Sequence, residues 1–226
     1  MKQTLMKLSM LVALVAIGGH ATAQWSVGLR GGWTTTTISR YNAGRIDESY
    51  ALLPGHEAGI QGSYTFNNWF ALCANLSVMH RSHRMDRNLN YLNPVYTEHH
   101  NTYLMMPVMA DFMFGGKRFM GHILAGGYAG YWLKERRNGT TYWMTDYNVY
   151  FESFDETRDF TDEDLRFNAG LLLGLGLSYP LDNHWKVGID ARYYYDLTSH
   201  HRGDEHLADP RYLNTVAINL NINYDL

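Results

Sequence analysis

Residues 215–226 read TVAINLNINYDL, and from Val216 onward every even position is apolar: Val216, Ile218, Leu220, Ile222, Tyr224 and Leu226. Asn219, Asn221 and Asn223 stand between them. A period of two puts the apolar set on one face of an extended strand and the amides on the other. One face suits hydrocarbon and the other suits water or polar partners, which is how a strand of a transmembrane β-barrel reads.

The pattern recurs upstream. In one segment Phe70, Leu72, Ala74, Leu76 and Val78 oppose Ala71, Cys73, Asn75 and Ser77. In another, Phe167, Ala169, Leu171, Leu173, Leu175, Leu177 and Tyr179 oppose Arg166, Asn168, Gly170, Gly174, Gly176 and Ser178. A third sets Trp185, Val187, Ile189, Ala191, Tyr193 and Tyr195 against Lys186, Gly188, Asp190, Arg192 and Asp196. Eight strand-like segments are expected in all, over residues 25–34, 56–66, 69–82, 99–114, 118–133, 165–180, 185–198 and 211–226. The segment 118–133 has glycines and aromatics on both parities, so its facing stays open.

Connections alternate in length. Asn67-Asn68, Gly115-Gly116-Lys117 and residues 181–184 are tight turns, while residues 35–55, 83–98, 134–164 and 199–210 are long. An even strand number with short turns at one end and long loops at the other is the layout of a bacterial outer-membrane barrel. The expected fold is therefore all-β, an eight-stranded antiparallel up-and-down transmembrane barrel. Its first strand should pair with its last, because an open edge in lipid leaves backbone groups unsatisfied. Tryptophans agree: Trp25, Trp33, Trp69, Trp132 and Trp185 fall at or near strand ends, the interface level for indole, and Trp143 falls in a long loop.

The N-terminus carries an address. Lys2 and Lys7 precede an apolar run over residues 8–17 and a small-residue Ala21-Thr22-Ala23 site. This reads as a signal peptide over 1–23, followed by a barrel domain over 24–226 and an outer-membrane location. A formal charge of −3 gives no reason to expect a nucleic-acid partner, and the single Cys73 excludes an intrachain disulfide framework.

The segments WSVGLRGGWT, YTFNNWFALCANLSVMHRS, YLMMPVMADF, GGYAGYWL and RFNAGLLLGLGLSYP, with the alternating C-terminus, resemble the PorT-like outer membrane β-barrel domain family of the Bacteroidota. The resemblance spans essentially the whole chain after the signal peptide. It implies an eight-stranded outer-membrane barrel and a link to protein secretion through the name-giving member, with no settled biochemical activity.

An eight-stranded barrel is filled by its own side chains. Arg30, Asp111, Lys186, Asp190 and Arg192 fall on the interior parity, and a network of charges is expected among them, with Arg30 and Asp190 at similar depth. A plugged polar interior argues against a diffusion pore. The expected role is structural or interactive: surface recognition, envelope integrity or a secretion-associated function carried by the outer loops, in a monomer surrounded by outer-membrane lipid. Loop 134–164 supports a protein partner, since Tyr142, Trp143, Tyr147, Tyr150, Phe151, Phe154 and Phe160 offer large contact area at low entropic cost.

Two other classes remain. An outer-leaflet lipid hydrolase, acyltransferase or surface protease needs an activated nucleophile; Ser82-His83 and Ser199-His200 are adjacent pairs that alternate faces, and no enzyme is expected. A metal or haem site is the third class. The topology sends His56, His80, His83, His99, His100, His200, His201 and His206 to the long-loop end. There an antiparallel hairpin would gather His80, His83, His99 and His100 as ligands for Zn or Cu, or for haem.

Overall fold

The structure, a computed structural model, describes residues 24–40, 48–87, 95–116, 118–146, 148–161, 164–199 and 211–226. Nine strands run through them: β1 Gln24–Arg40, β2 Glu48–Asn67, β3 Phe70–Arg87, β4 Val95–Gly115, β5 Met120–Met144, β6 Val149–Arg158, β7 Phe167–Pro180, β8 Trp185–Asp196 and β9 Arg211–Asp225. All neighbours are antiparallel, and β9 pairs with β1, from Ser26 opposite Asp225 to Arg40 opposite Arg211. β5 pairs with β4 from Met120 to Thr140, with β7 from Met120 to Tyr131 and with β6 from Glu135 to Met144. Eight strands therefore make the ring, and β6 stands above it as the return arm of a hairpin.

The register fixes the shape. A path across the pairings Ser26, Ser63, Cys73, Met109, Gly126, Leu172, Tyr194 and Thr215 returns to β1 at Thr36, ten residues beyond its start. That stagger is the shear of a closed barrel with tilted strands. Every residue on the path faces inward.

Sequence and structure differ at the long-loop end. β1, β2, β3 and β4 extend past the expected segments, and residues 134–144 and 149–158 form a β-hairpin rather than an irregular loop. Strands of 17–25 residues in β1 to β5 exceed the roughly 9–11 that cross a bilayer, so this end rises beyond the apolar band.

The outward faces carry the parity the sequence assigns. Leu173 and Leu175 are 62% and 64% exposed, against 1% for inward Leu172. No outward strand position within 25–33, 56–66, 70–78, 104–114, 121–133, 167–179, 185–195 or 216–224 carries a carboxylate, Lys or Arg, consistent with a cost of about 2–4 kcal/mol for Arg or Lys at mid-bilayer. The open parity of the fifth segment resolves: Ile123, Ala125 and Tyr131 face out, and His122, Leu124, Tyr128 and Trp132 face in. Trp132 is thus no interface tryptophan. It is 6% exposed and stacks on Tyr103 inside the wall, with ring centroids 5.9 Å apart.

The turns are built from local chemistry. Gly115 has φ 128°, which a side chain would oppose, and Gly116 N donates to Phe119 O to close that turn. In the β7–β8 turn, Asp182 Oδ1 accepts from the backbone N–H of His184 and Trp185, both at 2.7 Å.

Candidate functional site

Two charge layers cross the interior. The lower one joins Arg30, Glu57, Asp190 and Arg192: Arg30 lies 3.3 Å from Asp190 and 3.6 Å from Glu57, and Arg192 lies 2.7 Å from Asp190. Two cations meet two carboxylates. Asn75 and Asn219, with their amides turned to satisfy both ends, accept from Arg30, and Asn75 also accepts from Arg192; Arg30 Nε keeps no hydrogen-bond partner among the described residues. Of the five residues expected to form one network, Arg30, Asp190 and Arg192 come together here. Lys186 instead pairs with Asp225, and Asp111 pairs with His122 at 2.9 Å, both nearer the turn end.

The upper layer centres on Arg81, which is fully buried. Its five N–H donors all find acceptors: Nε to Thr215, one terminal nitrogen to Asn168 and Asp196, the other to Asp196 at 2.7 Å and to the Leu213 carbonyl. Asp196 also accepts from Tyr128 and from Asn168. Alternation alone does not mark Arg81 as a centre, though it shares the inward parity of Asn75 and Ser77. Together with Met79, Tyr103, Met105 and Tyr194, none more than marginally exposed, it closes the lumen.

Above this plug lies the mouth, where the histidines were expected to meet. The wall divides them. His83 and His99 are cross-strand partners facing inward, their rings stacked at 4.7 Å. His80 faces outward and stacks on His56 at 4.0 Å, while outward His100 accepts or donates at Nδ1 to Ser82 Oγ at 3.2 Å. An odd spacing from 80 to 83, and adjacency of 99 and 100, send each pair to opposite faces. One site holding all four side chains is not formed, and among the described residues no three of His, Cys, Asp and Glu are arranged for a metal. His200, His201 and His206 lie outside the described residues.

What the mouth does contain is an ion network. β5 carries an extra residue at Leu133, because Tyr103 pairs with Trp132 while Thr102 pairs with Lys134. The bulge reverses the parity beyond it and turns Glu135 inward. Glu135 then contacts His99 at 2.8 Å, Arg137 at 2.6 Å and Arg158 at 3.0 Å, and Arg158 reaches Asp164 at 2.9 Å. Burial alone would push the Glu135 carboxyl up, but these hydrogen bonds outweigh it and hold it down at about 2. The network surrounds a cavity of about 170 Å³ and ties the base of the β5–β6 hairpin to the barrel.

The hairpin itself is exposed on both faces. Trp143, Met144, Tyr150 and Phe151 are about half exposed, and Trp143 stacks on Tyr150 with centroids 4.3 Å apart. Arg136 and Asp155 brace its stem across the pair.

A closed antiparallel ring with an apolar exterior, a charged interior and long strands at one end defines an outer-membrane β-barrel. The chain belongs to the outer membrane protein beta-barrel domain family, whose model matches residues 19–202, and the protein is located in the outer membrane. Among solved structures it is similar to OprG of Pseudomonas aeruginosa, at 13% identity and a TM-score of 0.52 over 90% of this chain and 97% of that one. Outer membrane protein W of E. coli matches at 13% identity and a TM-score of 0.45, over 92% and 100%. Ail, the attachment invasion locus protein of Yersinia pestis, matches at 15% and 0.41, over 89% and 98%. These likenesses concern the fold alone. No curated protein matches the chain.

Proposed function

We propose that the protein is a surface recognition module of the outer membrane, whose projecting β5–β6 hairpin meets a protein partner. One observation carries the reading: a braced hairpin stands clear of the ring and holds Trp143, Met144, Tyr150 and Phe151 at its tip, half exposed and without a core to fill. Aromatic side chains presented on a paired two-stranded stem bind with little ordering cost of their own, so exposed apolar area of this kind marks an interaction site. The resemblance to PorT-like barrels supports a partner within the cell envelope, including one that serves secretion. Recognition at the tip requires no reaction and no cofactor.

The test removes the tip and keeps the stem. Thr140 and Ser153 are directly opposite, so replacing residues 141–152 by Asn-Gly should close a two-residue turn. Cross-linking in intact cells followed by mass spectrometry should recover a partner with the full-length protein and lose it with the shortened one. An unchanged set of cross-linked proteins would sink the reading.

A further inference from the structure

The turn-end half of the lumen holds a constellation built from three neighbouring strands. His122 of β5 places Nε2 2.8 Å from Ser178 Oγ of β7, and Nδ1 2.9 Å from Asp111 Oδ2 of β4. The Asp111 carboxylate can only accept, so Nδ1 carries the ring proton and Nε2 accepts from the serine hydroxyl. That order of atoms, carboxylate to Nδ1 and Nε2 to hydroxyl, is the one by which a serine is made nucleophilic. All three residues line one cavity of about 110 Å³, together with Met120, Lys186 and Arg192. The Asp111 side chain is 9% exposed and that of His122 18%, so the relay is shielded yet reaches the cavity.

We propose that Ser178, His122 and Asp111 form a hydrolytic site for short-chain carboxylic esters that enter from the turn end of the barrel. Ser178 and His122 are the catalytic residues, and Asp111 is a positioning residue that fixes the tautomer of His122. Ser178 Oγ bonds to the ester carbonyl carbon as its proton passes to His122 Nε2. The carbon–oxygen bond to the alcohol then breaks, and the alcohol leaves with that proton. Water repeats the sequence on the acyl-serine: its proton goes to Nε2, its oxygen bonds to the acyl carbon, and Ser178 recovers its proton as the carboxylic acid departs. Lys186 and Arg192, each already paired with a carboxylate, line the same cavity and keep its wall polar. The cavity limits the acyl group to something smaller than the benzene that fills a void of about 150 Å³. Only the register joins the three residues, since Ser178 lies 56 positions from His122; the expectation of no enzyme came from serines of the long-loop end.

The experiment uses the full-length barrel folded in detergent, its folding checked by heat-modifiable migration. A fluorophosphonate probe should phosphonylate Ser178, with fluoride leaving and the hydroxyl proton passing to His122, and peptide mass spectrometry reads the site. In His122→Gln the labelling rate should fall at least about 100-fold. Asp111→Asn should slow labelling, and Asp111→Glu, which keeps the carboxylate, should recover part of the rate. p-Nitrophenyl acetate should be hydrolysed by the unaltered protein and not by Ser178→Ala. A folded barrel in which Ser178 stays unlabelled, labelling that survives the loss of His122 undiminished, or ester hydrolysis that survives Ser178→Ala would each overturn the proposal and leave a structural hydrogen-bond chain.

Discussion

Arg81 and Asp196 show what an interior position demands of a charge. Neither reaches solvent, and each is matched by hydrogen bonds as well as by the other. Removing one member strands its partner without water, and Asp196→Ala is expected to destabilise the barrel by about 3–5 kcal/mol. Replacing both together, Arg81→Met with Asp196→Leu, should recover most of that loss, because the desolvation of both charges is avoided. Urea midpoints of the detergent-folded variants decide it, and a double variant as weak as the single one would show that the pair stabilises beyond its desolvation cost. Glu135 gives a prediction with a pH sign. Its carboxyl is held at about 2, below the ordinary 4.5, so the ionised form stabilises the mouth above about pH 4.5 and that contribution drains away as pH falls toward 2. The full effect is on the order of 3 kcal/mol. Amide-exchange protection at the base of the β5–β6 hairpin should drop over that window and do so far less in Glu135→Gln. Sequence parity was enough to send Arg30, Asp190 and Arg192 inward. It could not say that Lys186 and Asp111 find other partners, because partners across the lumen depend on the stagger, and Glu135 faces inward only through the bulge at Leu133.

Among elements, the ring strands were legible because lipid outside and polar groups inside impose a period of two on each of them. β6 was not, for the same physical reason. Its ten residues are exposed or nearly so on both faces, so nothing in the burial of Val149–Arg158 forces alternation. The strand exists because β5 continues past the ring and offers it a ladder. The histidine grouping failed on the same rule applied less strictly: an odd spacing within a strand is a change of face, whichever hairpin brings the strand ends together. Since β6 pairs only with β5, the hairpin tip should be dispensable for the barrel. Replacing residues 141–152 by Asn-Gly is expected to leave heat-modifiable migration intact and to change the unfolding free energy from urea titration by less than about 0.5 kcal/mol, the range of substitutions away from packed contacts. A large loss would mean that the tip packs on the mouth.

At the scale of the whole molecule, the eight-strand ring and its ten-residue stagger leave an interior that side chains can fill. The fill is uneven. A cavity of about 110 Å³ opens toward the turns and one of about 170 Å³ toward the mouth, and the two share no lining residue. Between them lie the fully buried Met79, Arg81, Tyr103, Met105 and Tyr194. An ion would have to displace the Arg81–Asp196 pair and its acceptors to pass, which means exposing a charge that currently has all its hydrogen bonds inside the wall. The folded protein inserted into a planar bilayer should therefore show no steady ohmic steps, although strand closure alone would permit a channel in a wider barrel. Opening the plug by changing Arg81 to Ala and Tyr103 to Ala together should produce conductance if the barrel still folds, with unboiled gel migration reporting that it has. Stable conductance in the unaltered protein would show that the two cavities communicate and that the interior layer does not close the barrel.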